Sequence, residues 1–188
     1  MDRLNNSFEI RSVNTDDGTF KGYGSVFGNI DSHRDVVDKG AFRDTLAEAK
    51  STGRWPKMLL QHASGPLTED QLPIGVWTHM AEDNYGLYVE GKLAVGTQRG
   101  RDVYSLMKMQ PRPALDGLSI GYLPKQFTMH RKTDPARRTL RSVNLIEVSL
   151  VSSPSNRLAT VRQVKSALMN TEDAARNFML TLAALGAK

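Results

Sequence analysis

The 188-residue sequence predicts a mainly β protein of the α+β class, with its strands in a barrel or sandwich and a few helices outside. Many short segments are rich in β-formers and are bounded by Gly, Pro or Asp. Only a few segments have helical spacing, and strands do not alternate with helices as they do in a doubly wound sheet. The length suits one domain with a short appendage, and a 39% share of hydrophobic residues is enough for a core.

The first half of the chain is expected to contain mostly strands and one helix. Alternating β-formers predict strands at Phe8–Arg11 and Phe20–Phe27. The stretch Asp31–Asp38 is polar and rich in turn formers, so we expect a loop. Apolar residues on one face predict a helix over Ala41–Lys50. Lys57–His62, entered through a proline, has the composition of a compact apolar strand that ends at a histidine.

The second half is expected to contribute two strand pairs and a second helix. The four strands of these pairs are predicted at Ile74–Met80, Tyr85–Leu93, Leu118–Phe127 and Thr139–Val151. Helical spacing predicts a helix over Arg101–Met109, which Pro111 ends. One more short strand is expected within Ala159–Val164.

The last segment has a different pattern. Apolar residues recur at spacings of three and four between Leu168 and Leu185, as in an amphipathic helix. We therefore divide the chain into a domain over 1–164 and a C-terminal amphipathic helix or tail over 165–188. Such a helix either packs on its own domain or serves as a docking or removable tail.

Composition and charge exclude several classes of protein. The chain has no cysteine, so disulfides, thiolate metal sites and a cysteine nucleophile are excluded. No apolar run is long enough for a bilayer or a secretory signal, so we expect a soluble cytoplasmic protein without a membrane partner.

Much of the net charge of +5 lies in Lys125–Arg141. This stretch is either a solvated hairpin loop or a surface for an acidic partner; nucleic acid is not expected, because no pattern of stacking aromatics accompanies it.

Four histidines are candidates for acid–base chemistry. His62 leaves the predicted sheet at a rim that a substrate could reach, although a histidine at the end of a strand is more often structural. His79 and His130 are interpreted as surface residues. His33 lies among three acidic residues, Asp31, Asp35 and Asp38, which could bind a cation weakly. Such loops are usually solvated turns, so no metal or cofactor is expected.

Ser119 lies in a G-x-S-x-G sequence between Gly117 and Gly121. This pattern occurs at the nucleophile elbow of α/β-hydrolases, but the elbow needs a helix after the serine, and here a strand continues. The hydrolase order of serine, acid and histidine also fails, because only His130 follows. A serine between two glycines in a strand still leaves the backbone open to a substrate.

Glu147 lies within a strand that is apolar at nearly every other position. An unpaired buried carboxylate is costly, so a partner is required. One possibility is an arginine, such as Arg141 or Arg157. The other is the imidazole of His62, which the carboxylate would hold in one tautomer. The residues alone leave both open.

Four blocks of the sequence, taken in order, resemble a known family. They are GYGSVFGNIDSHRDVVDKGAFRDTL, KMLLQHASGPLTEDQLPIGVW, LDGLSIGYLPK and NLIEVSLVSSPSNRLATV, and they cover about residues 7–164. Together they resemble the tailed-phage prohead maturation proteases, which are similar in fold to the herpesvirus assemblins. The resemblance implies a closed, mostly antiparallel β-barrel flanked by a few helices.

The resemblance also implies a catalytic set. The histidine of the family matches His62, its serine matches Ser119, and Glu147 is our choice for the third member. The implied activity is that of a serine endopeptidase that works through an acyl-enzyme. No second histidine lies near Glu147, so a Ser-His-His triad is excluded.

The implied partners are the phage major capsid protein and its scaffold segment, and the protein is also expected to cleave itself. We expect a homo-oligomer that acts inside the assembling prohead, in the cytoplasm of the bacterial host. The alternative is a non-enzymatic scaffold or assembly protein, which the positive charge and the amphipathic C-terminal segment keep open.

Overall fold

The structure, a computed structural model, describes residues 17–63 and 72–165. Residues Gly18–Val164 form one compact unit. The strand predicted at Phe8–Arg11 and the helix predicted between Leu168 and Leu185 lie outside the described residues. The division of the chain at residue 165 therefore stays a prediction.

The described residues form eight strands, two α-helices and one short 3₁₀ turn. The strands are β1 (Thr19–Val26), β2 (Asp35–Val37), β3 (Lys57–Leu60), β4 (Gly75–Glu82), β5 (Gly86–Leu93), β6 (Gly117–Met129), β7 (Arg138–Val151) and β8 (Val161–Val164). The helices are α1 (Arg43–Thr52) and α2 (Gln98–Met107), and the 3₁₀ turn is Gln61–Ala63. Both predicted helices and the strands predicted within residues 20–164 are confirmed, and the α+β, mainly β class with them.

All eight strands belong to one sheet, in the order β2-β7-β3-β4-β5-β1-β8, with β6 paired to β7. The 14-residue β7 is long enough to serve three partners. It pairs with β6 along one edge, while β2 and β3 pair with different stretches of its other edge. The pairings of β2 and β3 with β7 are parallel, and the other five are antiparallel. The expected mostly antiparallel sheet is therefore confirmed.

The expected closed barrel is wrong. Closure would need a ladder between β6 and β8, the strand at the far end of the sheet. In the described part of the chain, a single bridge joins Gly117 to Thr160, the residue before β8. β8 itself is four residues long and pairs with β1. Because β8 is so short, the sheet curves toward closure but stops at one bridge.

The core lies between the sheet and its helices. Its largest fully buried side chains include Phe42, Met80, Leu118 and Leu140. Helix α1 is fastened to β7 through the hydroxyl of Thr45, which donates to the carbonyl of Val143 at 3.3 Å and accepts from the N–H of Leu145 at 3.1 Å. These contacts fix β7 in place, and β7 carries one wall of the site described below. Within the described residues, no helix is long and apolar enough to cross a membrane.

Two local expectations need correction. The stretch Asp31–Asp38, predicted as a loop, contains β2, whose three residues pair in parallel with Arg138–Leu140. A strand this short has too few positions to display alternation, and its first residue is an aspartate. The apolar strand predicted to end at His62 ends at Leu60, and His62 lies in the 3₁₀ turn that follows.

Candidate active site

The turn after β3 positions His62. Gln61, His62 and Ala63 have φ angles of 51°, 58° and 53°, all in the left-handed region. Each non-glycine residue there costs roughly 1–2 kcal/mol, so three in succession require compensation. Leu60 is in register with Leu150, so a straight continuation of β3 would carry His62 past the end of β7. The left-handed turn instead brings the imidazole back over β7.

The imidazole of His62 contacts Glu147, a residue of β7. The Nδ1 atom lies 2.6 Å from Oε1 of the carboxylate. The side chain of Glu147 is only 8% exposed, while that of His62 is 37% exposed. Of the partners that the sequence left open for this buried carboxylate, the structure places His62 against it. Arg141 instead lies 4.0 Å from Asp38.

This contact sets the charge state and tautomer of His62. The hydrogen bond to Glu147 raises the pKa of the imidazole above its usual value, and the negative charge of the carboxylate adds to this rise, whereas burial opposes it. Because a carboxylate only accepts, Nδ1 carries the proton and donates it. The Nε2 atom of the neutral ring then keeps its lone pair and can accept a proton.

Two further residues hold the Glu147 carboxylate. The hydroxyl of Ser149, which is fully buried, donates to Oε2 at 2.5 Å. Gly121 of β6 lies directly opposite Glu147 in the β6–β7 ladder. A Cβ atom at Gly121 would lie 2.2 Å from Oε1 of Glu147, so any other residue here would force the carboxylate out of its present position.

Sequence reasoning missed these two supports. The available signal for Ser149 was its position two residues after Glu147, which places both side chains on the same face of a strand. Gly121 was noted only for the backbone access that it gives near the serine. Its cross-strand register with Glu147 is a tertiary fact that spacing does not reveal.

Ser119 lies on β6 and is 6% exposed. It faces Ser149 across the ladder, two cross-strand pairs along from Gly121 and Glu147, with the pair Ile120 and Val148 between them. Ser119, Gly121 and His62 all line one cavity of about 360 Å³. The structure thus brings the three predicted residues together, with His62 against Glu147 and Ser119 in the same cavity as the imidazole.

Another part of the cavity is built from a charged cluster that the sequence did not predict. Asp35 of β2 is 1% exposed. Two arginines bind it: Arg138, the first residue of β7, and Arg137, the residue before it. Arg138 contacts both carboxylate oxygens, 3.1 Å from Nε to Oδ1 and through Nη2 to Oδ2. Arg137 donates from Nη2 to Oδ1 at 3.3 Å, and the hydroxyl of Tyr122 donates to Oδ2 at 3.2 Å. Lys125–Arg141 was interpreted as a solvated hairpin loop or a surface for an acidic partner. Near its C-terminal end, Arg137 and Arg138 instead bind a carboxylate of the same chain.

The electrostatics of this cluster explain why a carboxylate is tolerated there. Burial alone would raise the pKa of Asp35, but the hydrogen bonds and charge of Arg138, with smaller contributions from Arg137 and Tyr122, hold that pKa below its usual value. Burial, and next the charge of Asp35, raise the pKa of the Tyr122 hydroxyl to about 12. His33 lines the same cavity, yet the described residues contain no group of three or more His, Cys, Asp or Glu placed to hold a metal ion.

The chain is similar to known proteins. The model of the family described as caudovirus prohead serine protease matches residues 6–174. The prohead protease of Enterobacteria phage HK97 is 32% identical over 152 residues, which cover 79% of this chain and 61% of the phage protein. The chain thus spans less than two thirds of that relative. The crystal structure of KSHV protease in complex with a hexapeptide phosphonate inhibitor matches at 14% identity and a TM-score of 0.45, over 76% of this chain and 63% of that one.

Proposed function

Because the chain belongs to the caudovirus prohead serine protease family, we propose that it is a serine endopeptidase that cleaves scaffold and capsid protein segments during prohead maturation. In this proposal Ser119 is the nucleophile, His62 is the general base and Glu147 orients the imidazole. The observation that carries it is the 2.6 Å contact from His62 Nδ1 to Glu147 Oε1 beside a cavity that Ser119 also lines.

The proposed reaction is acyl transfer to water. His62 Nε2 takes the proton of the Ser119 hydroxyl as Oγ attacks the scissile carbonyl, and the tetrahedral adduct collapses as His62 returns that proton to the departing amine. Water then attacks the acyl-enzyme as His62 removes one of its protons. The second adduct collapses as His62 gives that proton to Ser119 Oγ, which releases the carboxyl product and restores the hydroxyl. Each proton that His62 accepts is thus returned, and the chemistry is a balanced hydrolysis.

Glu147 acts through His62 in this scheme. As the imidazole becomes positive, the nearby carboxylate stabilises it, and the buried setting strengthens that attraction because little water screens it. The hydroxyl of Ser149 on the other carboxylate oxygen holds the acceptor in place. The strained turn at His62 is consistent with a site in which backbone energy is used to position a side chain.

The biological setting proposed here follows the family. The substrates would be the major capsid protein of the phage and its scaffold segment, and the protease itself would be a further substrate, with the segment beyond residue 164 as a candidate for self-removal. We further propose that the protein works as a homo-oligomer inside the assembling prohead, in the cytoplasm of the bacterial host. The family match and the HK97 prohead protease support this setting.

A serine-directed fluorophosphonate probe tests the catalytic set. The probe should label the wild-type chain once, peptide mapping by mass spectrometry should locate the label on Ser119, and the His62→Ala variant should react at least tenfold more slowly. The matched control is His79→Ala, since that histidine lies on β4 away from the cavity. Labelling at another serine, or equal labelling rates for His62→Ala and wild type, would reject the assignment; no labelling even in assembled proheads would favour the non-enzymatic assembly protein.

The pH dependence of hydrolysis should report the state of His62. Its pKa lies above 6.5 in the folded protein because Glu147 stabilises the charged imidazole. Only the neutral ring accepts a proton, so kcat/KM should fall as the pH drops through a midpoint above 6.5. In Glu147→Gln the midpoint should move down.

The same raised pKa makes the His62–Glu147 pair most stabilising below pH 6.5, and this stabilisation is lost as pH rises through the folded-state pKa. Proton NMR titration of His62 in wild type and in Glu147→Gln measures the pKa on which the pH profile and the stability both depend. A wild-type midpoint below 6.5 would contradict the expectation.

Gly121→Ala should disturb the site without replacing any residue of the proposed catalytic set. The added methyl group would overlap with Glu147 Oε1, so the carboxylate must move away from His62. We expect kcat to fall by about a hundredfold, since a misplacement near 1 Å can cost this much. Gly96→Ala is the matched control, because nothing lies within 4 Å of a Cβ atom there and its φ is outside the left-handed region. Activity of Gly121→Ala within threefold of wild type would show that the carboxylate does not need its present position.

A further inference from the structure

The two arginines at the start of β7 are not equivalent, although both bind Asp35. Arg138 uses Nε and Nη2 on the carboxylate, and its Nη2 also lies 3.3 Å from the Tyr122 hydroxyl. Its side chain is 17% exposed. Arg138 therefore neutralises the buried carboxylate in a two-pronged contact and has little capacity left for another ligand.

Arg137 is only lightly attached to the same carboxylate. It contacts Oδ1 of Asp35 through one nitrogen at 3.3 Å, and its side chain is 52% exposed. A guanidinium has five N–H donors in a planar fork. Most of the Arg137 fork is thus open to solvent, on a residue that lines the cavity shared by Ser119 and His62.

The backbone that carries Arg137 is held firmly. Its N–H donates to the carbonyl oxygen of Arg34 at 2.7 Å. The guanidinium of Arg34 in turn binds the carbonyl oxygens of Asp134 and Pro135, at 2.9 Å to the latter. These bonds tie the end of the loop between β6 and β7 to the segment before β2. A charged group on a fixed backbone loses less entropy on binding a ligand than one on a mobile loop.

The charges around Arg137 leave it available to an anion. The Asp35 carboxylate is already neutralised by Arg138, so the charge of Arg137 is in excess within this cluster. The other carboxylate that lines the cavity, Asp31, keeps its negative charge, but its Oδ1 is held in its own turn, where it accepts the N–H groups of His33 and Asp35 at 2.9 and 2.8 Å. The guanidinium of Arg34, which binds carbonyl oxygens of the neighbouring loop, adds a positive charge that offsets it. The open fork of Arg137 fits a planar carboxylate, which accepts two parallel N–H bonds.

We propose that Arg137 forms a substrate subsite for an acidic side chain close to the scissile bond. This inference rests on the proposed function. A cavity of about 360 Å³ holds only a few side chains. An extended peptide advances roughly 3.3 Å per residue, so the aspartate or glutamate would lie within about three positions of the bond attacked by Ser119. Arg137 is a specificity residue in this account and takes no part in bond breaking.

Substrate profiling tests the subsite without knowledge of the natural cleavage sequence. The full-length protein is incubated with a diverse peptide library, and cleaved bonds are identified by mass spectrometry. Wild type should cleave bonds enriched in Asp or Glu at one position within three residues of the cut. For a peptide pair that differs by Glu versus Gln at that position, kcat/KM should favour Glu by about five- to tenfold, the range for a partly exposed charge-assisted pair.

Variants of Arg137 separate the subsite from the chemistry. Arg137→Gln should abolish the preference for Glu over Gln but retain hydrolysis of the Gln peptide, and Arg137→Glu should turn the preference toward Lys or Arg. The control is Arg131→Gln, the same change in the same loop at an exposed arginine outside the cavity. Thermal melting of each variant shows that it is folded.

The outcomes distinguish a failure of the subsite from a failure of the proposed function. Peptide cleavage by wild type without acidic enrichment, or a preference that Arg137→Gln leaves unchanged, overturns the subsite and leaves the proposed protease intact. Cleavage of no peptide by wild type, in a preparation whose Ser119 does not react with fluorophosphonate, overturns the proposed function and the subsite together.

Discussion

Ser119→Ala is expected to lower kcat/KM for peptide hydrolysis by roughly 10⁴- to 10⁶-fold, the largest effect of any single change in this protein. Without the hydroxyl no acyl-enzyme can form, and only substrate binding and transition-state contacts remain. The fold should survive, because the removed oxygen is small and the β6–β7 ladder at this position is made by backbone atoms. Hydrolysis is measured with the enzyme in excess over the substrate, because a residual rate this low gives too little product under multiple turnover.

The matched control is Ser105→Ala. Ser105 lies on α2, is exposed and donates to the carbonyl of Arg101 within its own helix. Its loss should leave kcat/KM within twofold of wild type. If Ser119→Ala retained more than a tenth of the wild-type rate while Ser105→Ala was unaffected, the nucleophile would have to be sought elsewhere in the chain.

Glu147→Gln is expected to lower kcat by roughly 10³- to 10⁴-fold with little change in KM, because the imidazole loses both its tautomeric restraint and the charge that stabilises its protonated form. The substitution preserves shape and removes a buried charge. Its effect on the free energy of unfolding should be small compared with that of Glu147→Ala, which leaves a cavity and an unsatisfied Ser149 hydroxyl.

The comparison of the two Glu147 variants separates a catalytic role from a structural one. A structural carboxylate would lose stability in both, and its kcat would follow the folded fraction measured by thermal melting. Glu48→Gln is the control for the chemical change, since Glu48 is an exposed residue of α1. A kcat for Glu147→Gln within threefold of wild type, in a folded protein, would remove Glu147 from the proposed catalytic set.

Much of the fold could be predicted because local pattern and tertiary role agree along most of the chain. The alternation in β4 and β5 and the helical spacing of α1 and α2 come from burial of one face, which sequence displays directly. β2 escaped prediction because three residues are too few to display alternation. Closure of the barrel was wrongly expected from the family resemblance, since whether β8 reaches β6 depends on the sheet's curvature and on the length of one short strand.

Some features of the candidate site could also be predicted from the sequence, and others could not. His62, Ser119 and Glu147 were chosen from residue types, local context and resemblance, and the structure brings them to one place. The means by which they meet was hidden: Gln61, His62 and Ala63 are poor indicators of a left-handed turn, because none is glycine or asparagine. The role of Asp35 was hidden as well, since its arginine partners lie about one hundred residues away in sequence.

The sequence by itself determined the class of fold, the order of its elements and the three residue types that suit acyl transfer, because burial periodicity and side-chain chemistry are local properties. Only the tertiary structure decided which partner the Glu147 carboxylate takes, why a side chain at Gly121 would displace that carboxylate and which of the two arginines bound to Asp35 is the more exposed. Those outcomes depend on strand register and on the path of one turn, and both are set by contacts between residues far apart along the chain.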